Sequence, residues 1–252
     1  MRVQVCSGQI FRIRISGTND FPETLMERYG ILKTGWEPIE SSLKTEKGKF
    51  VVSSSEYQVA VNQQNGELSV RSEKGKVVIP RIGFYEVNNP FISELGQSLD
   101  DYFGKAKTGG GIVGDDNFTG KKTELAEVGD LSGSRIFEIS LQSDERFYGG
   151  GSTSRKNIQH RGTALRMWAT YQKTEIPMPF LMSSAGWGIY NNTTAKNYFD
   201  VGRFRNEKLF IFNTNGDLDF YLILGNSMPD VINNYTTITG KPYLLPEWAY
   251  GL

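Results

Sequence analysis

Hydrophobic residues return at every second position through much of this chain, a period that extended strands with one buried face satisfy and helices do not. In "IFRIRIS" (residues 10–16), Ile10, Arg12 and Arg14 share one side while Phe11, Ile13 and Ile15 share the other. "EYQVAVNQQNGELSV" supplies two strands around Asn65-Gly66, a dipeptide suited to the left-handed backbone of a tight hairpin. A further strand pair is expected within "KGKVVIPRIGFYEV". From Asn88 to about Asp116 the alternation loosens into a Gly- and Asp-rich stretch, read as a connection. Strands resume at "KTELAEV" and "SRIFEISLQ", the latter setting Ile136, Glu138 and Ser140 opposite Phe137, Ile139 and Leu141.

The last third repeats the pattern in "IPMPFLMSS", "GWGIYNN", "AKNYFDVG", "KLFIFNT" and "DLDFYLILG". Asn215-Gly216 reads as another tight hairpin. One segment is helical in spacing: "SMPDVINNYTTITG", with Ser227 as N-cap, Pro229 in the first turn and Gly240 at the stop. Many strands, one late helix and no βαβ rhythm define an all-β chain, a large β-sandwich with one short C-terminal helix. The 28 glycines and 12% aromatic residues suit strands joined by tight turns. No internal repeat of solenoid length is visible.

Charge and cysteine usage exclude several classes. Lys+Arg and Asp+Glu both number 28, and no basic block is interleaved with aromatics, so neither nucleic acid nor an anionic membrane is an expected partner. No apolar run reaches the roughly 18 residues that span a bilayer. The start, "MRVQVCSGQIFRIRIS", alternates like a strand rather than a signal peptide. The single cysteine, Cys6, has no internal disulfide partner, which fits the cytoplasm or a cysteine-poor periplasmic or secreted protein.

Chemical motifs are weak when set in context. "GGGIVG" (109–114) matches G-x-G-x-x-G but lacks the preceding strand and following helix of a dinucleotide site. "TGKKT" has Asp115 where a P-loop needs its upstream glycine. "NTNGDLD" places Asn213, Asn215, Asp217 and Asp219 alternately, yet lacks the calcium-loop glycine register and closing bidentate acid. His160 is the only histidine, without a nucleophile elbow or metal partners, and is assigned to the surface or rim. Asp144, Glu145 and Asp219, at strand ends, read as solvated surface charge.

The stretch 145–180, "ERFYGGGSTSRKNIQHRGTALRMWATYQKTEIPMPF", differs in texture: a long connection carrying His160, Met167, Trp168 and Tyr171. Long connections in compact domains are commonly functional. An aromatic face can stack on the apolar face of a sugar ring, or pack on a neighbouring domain. Both readings stand at this point.

Several of these stretches together resemble family 31 glycoside hydrolases. "DERFYGGG" resembles their E-x-F-Y-G-x-G turn, and "IPMPFLMSSAGWGIYNN" their P-F-x-x-S-x-x-G-Y-G-x-F strand pair, with Trp187 where Tyr is usual. "LDFYLILGNSMPDVINNYTTITGKPYLLPEWAYG" resembles their run from D-x-Y-x-I-x-G through Y-x-x-L-T-G-x-P to P-x-W-A-L-G, with Ile238 and Tyr250 replacing leucines. "IFRIRIS" fits the N-terminal I-x-R-V-R strand.

The resemblance implies a sandwich of the galactose-mutarotase-like type over residues 1–240. Residues 241–252 would then be a linker and the start of a (β/α)₈ catalytic barrel, with "PEWAYGL" opening a buried strand. The family's nucleophile and acid/base are aspartates of that barrel, so no catalytic residue carries over to this chain. The parent's reaction would be retaining hydrolysis of an α-linked oligosaccharide or glycoside, without metal or organic cofactor. The loop 152–176 would help shape the sugar pocket, with Trp168 as a stacking wall and Met167 and Tyr171 lining an outer subsite. "MWATYQKTE" lacks the aspartate that many relatives carry there, so glucosidase, xylosidase, transglycosidase and lyase remain open. Alternatives are a free-standing carbohydrate-binding module and a mutarotase-like epimerase. The epimerase wants a general base and histidines, of which only His160 is present.

Overall fold

The computed structural model describes residues 1–18, 20–103, 106–108, 123–125, 128–129, 131–152, 158–169 and 176–250. Two antiparallel sheets face each other. The six-stranded sheet runs β1 (Arg2–Ser7), β2 (Ile10–Ile15), β17 (Leu218–Leu224), β14 (Trp187–Asn191), β13 (Ile176–Ser183) and β11 (Phe147–Ser152). The nine-stranded sheet runs β12 (Thr163–Met167), β15 (Asn197–Val201), β16 (Lys208–Asn213), β10 (Arg135–Ser140), β7 (Val77–Phe84), β6 (Leu68–Ser72), β5 (Tyr57–Asn62), β4 (Lys49–Ser53) and β3 (Ser42–Glu46). A separate ribbon pairs β8 (Ala106–Thr108) with β9 (Thr123–Leu125).

The alternation read from sequence sorts side chains between layers. Phe11, Ile13, Phe137, Ile139, Phe199, Ile211, Phe220 and Leu222 fill the space between the sheets. Their neighbours point outward, and many of these are apolar as well. Helices therefore cover both outer faces. On the nine-stranded sheet, α2 (Pro90–Phe103) sets Phe91, Ile92, Leu95 and Leu99 against Ile136, Tyr198, Phe210 and Phe212. On the six-stranded sheet, α3 (Met228–Thr239) sets Val231 and Ile238 against Cys6, Ile10, Tyr190 and Ile223, and Tyr235 stacks on Phe180 with centroids 4.0 Å apart. Ser227 caps α3 by accepting from the Asp230 amide, and Gly240 ends it at φ 88°, as its sequence predicts.

Four expectations need correction. Residues 90–103 are not a loose connection but α2, started by Asn89, whose Oδ1 accepts from the Phe91 amide, and by Pro90. "KGKVVIPRIGFYEV" holds one strand, β7, rather than a pair. Asn65-Gly66 does join the hairpin β5–β6, but Asn215-Gly216 does not make one: β16 and β17 lie in different sheets, and the turn crosses between them. "PEWAYGL" opens no buried strand among the described residues. Glu247–Tyr250 form a single 3₁₀ turn with Trp248 83% exposed. "GGGIVG" and Gly120-Lys121 lie outside the described residues.

Candidate functional site

Strand register gathers distant segments at one rim of the sandwich. Met167, the last residue of β12, pairs with Asn197, which pairs with Asn213 at the end of β16. The short segment from Asn213 to Leu218 then crosses to the six-stranded sheet, where Leu218 pairs with Ile15. Along that sheet Asn191 pairs with Phe220, while Ser152 pairs with Ile176 at the start of β13. Trp168, which follows Met167, thus shares a rim with Ile176, with residues 16–18 and 20–24, and with the loops 192–196 and 214–217.

The base of the long connection is built from glycine. Gly149, Gly150 and Gly151 have φ of 120°, 79° and 83°, and the β11–β13 register slips between Gly149 and Gly151. L-residues rarely adopt these angles. A Cβ on Gly149 would sit 2.5 Å from the Phe180 carbonyl oxygen, one on Gly150 3.0 Å from Leu165 Cδ1, and one on Gly151 would collide with the Ile176 carbonyl. The bulge is pinned by His160, whose ring Nε2 lies 3.0 Å from the Gly149 carbonyl oxygen and whose backbone N–H donates to Phe147 at 2.9 Å. His160 is 3% exposed, so the surface or rim role expected for it gives way to a buried fastening.

Glu145 is not surface charge either. It is 4% exposed; its Oε1 accepts from Ser183 Oγ and Trp187 Nε1, both at 2.6 Å, and its Oε2 from the Gln142 amide at 2.8 Å. Arg161 donates to the carbonyls of Gln142 and Asn206 and closes the turn from outside. The glutamate and glycines of "DERFYGGG" therefore hold a shape, and Trp187 in place of Tyr supplies an N–H to the same carboxylate.

Asp219, expected at the surface, is buried as well. It accepts from Arg12 at Nε (2.9 Å) and Nη2 (2.6 Å), while the same guanidinium reaches both carboxylate oxygens of Glu27 at 2.6 and 2.9 Å. Glu27 belongs to the short helix α1 (Leu25–Arg28), whose cap Thr24 donates to it and accepts from its amide. Burial alone would raise the Glu27 carboxyl, but the hydrogen bonds from Arg12 and Thr24 outweigh it and hold the group at about 2. Asp144 is exposed, as expected.

Of the expected sugar-contacting residues, Trp168 is 44% exposed, and Ile176 and Met178 at the start of β13 are exposed too. Met167 is 5% exposed and packs in the inter-sheet core. Tyr171 lies outside the described residues, as do 153–157 and 170–175 of the expected loop. Among the described residues no group of three His, Cys, Asp or Glu is placed to hold a metal ion.

Two facing antiparallel sheets, a glycine bulge pinned by buried polar groups and helices on both outer faces make this a galactose-mutarotase-like sandwich. The family model for the glycosyl hydrolase 31 N-terminal galactose mutarotase-like domain matches residues 1–200, and the chain belongs to that family. It is 34% identical over 124 residues to an isomaltosyltransferase of Sporosarcina globispora, covering 44% of this chain and 11% of that protein. It is 32% identical over 121 residues to an alpha-xylosidase of Saccharolobus solfataricus, covering 45% of this chain and 16% of the relative. Among solved structures, the Flavobacterium johnsoniae GH31 dextranase complexed with isomaltotriose superposes with a TM-score of 0.69 at 24% identity, over 99% of this chain and 26% of that one. A GH31 alpha-xylosidase from a soil metagenome, complexed with xylose, gives 0.69 at 18%, over 99% and 33%. These likenesses speak to the fold. The chain spans well under half the length of each of these proteins.

Proposed function

We propose that this chain is the N-terminal accessory domain of a retaining α-glycosidase acting on α-linked glucosides or xylosides. Residues 1–240 form the scaffold, 241–252 lead toward a catalytic barrel, and the 152–176 loop lends Trp168 to the sugar pocket. The observation that carries this reading is the family match over residues 1–200. Exposed Tyr243, Leu244, Leu245 and Trp248 along the segment after α3 support it, because such a run of apolar side chains suits burial against another domain.

Retaining hydrolysis needs two free carboxyl groups about 5–5.5 Å apart, one attacking the anomeric carbon and the other protonating the leaving oxygen. Among the described residues, the buried and partly buried carboxylates Asp219, Glu27, Glu145, Asp200 and Glu138 are committed elsewhere. Asp219 and Glu27 bind Arg12, Glu145 binds Ser183 and Trp187, Asp200 binds Arg203, and Glu138 binds Arg81, Tyr85 and Lys208. These commitments support the reading that the bond-breaking pair lies outside this chain, and the purified chain is expected to release no nitrophenol from nitrophenyl α-glucoside or α-xyloside. Turnover that follows the chain through purification would overturn the assignment. Exposure of the Trp168 indole also favours the second reading, a free-standing carbohydrate-binding module. Calorimetric titration with maltose, isomaltose or xyloglucan fragments separates the two, since an accessory domain binds them only weakly and a module binds them tightly.

A further inference from the structure

Two Asn-Gly pairs occur in the chain, Asn65-Gly66 and Asn215-Gly216. Both sit in turns, but their side chains are held in different ways. We infer that Asn215 is a site of spontaneous covalent modification, its side-chain amide being attacked by the Gly216 backbone nitrogen to give aspartate and isoaspartate. The inference stands independently of the accessory-domain proposal.

The reacting groups at Asn215 are already neighbours. The Gly216 N–H donates to Asn215 Oδ1 at 2.7 Å, so the carbonyl carbon to be attacked is one bond from the atom that this nitrogen touches. Near-attack contacts lie at roughly 3–3.5 Å. Glycine leaves the approach open, since even a Cβ at Gly216 would meet nothing within 4 Å. The turn is anchored on both sides. The Thr214 N–H donates to the Lys196 carbonyl, Ser134 Oγ to the Thr214 carbonyl and Arg135 Nε to the Gly216 carbonyl, each at 3.1 Å. Leu218 is then held in register with Ile15. Asn215 is exposed, so water reaches the site to accept the backbone proton and to carry the leaving group away.

Asn65 is held the other way. Its Oδ1 accepts from the Glu67 amide at 3.0 Å, and the Gly66 N–H donates to the Asn62 carbonyl at 2.9 Å. Attack there requires both bonds to break first.

The step balances with water alone. The Gly216 nitrogen gives its proton to hydroxide and bonds to Asn215 Cγ. The Cγ–Nδ2 bond breaks, and Nδ2 takes a proton from water to leave as ammonia. Water then opens the cyclic imide at either carbonyl. One product is aspartate; the other is isoaspartate, in which the main chain runs through Cβ and gains a carbon. Either product adds a carboxylate next to Asp217, which pairs with Arg135 at 3.4 Å, in the turn that passes from β16 to β17.

The test is to age the whole chain in neutral buffer, digest it in mild acid and follow both Asn-Gly peptides by mass spectrometry, with electron-transfer fragmentation separating isoaspartate from aspartate. Asn215 is expected to convert about tenfold faster than Asn65, a difference of about 1.4 kcal/mol in barrier. In guanidinium strong enough to unfold the chain, both pairs lose their folded geometry and the ratio should fall toward unity. Equal native rates, faster conversion at Asn65, or no conversion at either site would overturn the inference. So would a ratio that persists in guanidinium, because it would place the cause in the local sequence rather than in the turn.

Discussion

At the scale of single residues, the polar interior is set by partners far apart in the chain. Arg12 and Asp219 are separated by 207 positions, and Trp187 reaches back 42 positions to Glu145. No local pattern marks such pairs, which is why Asp219 and Glu145 read as surface charge. The glycines are legible as a motif but not as a bulge, since only the opposing β13 carbonyls reveal why hydrogen is the one tolerated substituent. The Arg12 cluster gives a pH signature. Glu27 is held at about 2 against an ordinary 4.5, so its contribution to stability is fully present above pH 4.5 and is lost as pH falls toward 2. Glu27→Gln should therefore destabilise the protein at neutral pH, and the gap from wild type in urea midpoints should close between pH 4.5 and 2. A gap that stays constant across that range would contradict the ion pairing. Cys6 carries no such signal. Burial pushes its thiol up to about 12, so it packs as a small apolar group.

Among elements, strands are the most legible because period two is hard to imitate. The helix α2 is hidden in the sequence for a physical reason: Phe91, Ile92, Leu95, Leu99 and Phe103 recur at helical spacing inside a stretch whose glycines and aspartates suggest a loop. The Asn89 cap and Pro90 at the first turn are the signal that marks it. Its function is to cover an apolar outer face, where Tyr85 stacks on Phe91 with centroids 4.6 Å apart. Leu95 is fully buried under it, so Leu95→Ala should cost about 2–5 kcal/mol in denaturant unfolding. A cost below about 1 kcal/mol would mean that the helix lies loosely on the sheet.

At the scale of the whole molecule, the sandwich is expected to hold together without the segment after α3. Residues 241–248 are exposed, and the backbone hydrogen bond from the Ala249 amide to the Pro246 carbonyl stays within the segment. A chain ended at Gly240 should melt within about 2 °C of the full chain, less than a loss of 1 kcal/mol would shift a domain of this size. A larger drop would move the proposed domain boundary past residue 240. The make-up of the rim that carries Trp168 is not readable from sequence, because it depends on which sheet each strand joins, as the crossing at Asn215-Gly216 illustrates.

Met167 and Trp168 are consecutive, yet one is sealed among the sandwich's interior side chains and the next turns toward solvent. A single peptide unit is then the lever arm between core and indole. Swapping Met167 for a bulkier or smaller neighbour of Leu165 would then be expected to tilt the ring's pitch without altering any surface group, so inherited drift in the interior can re-aim an exposed aromatic.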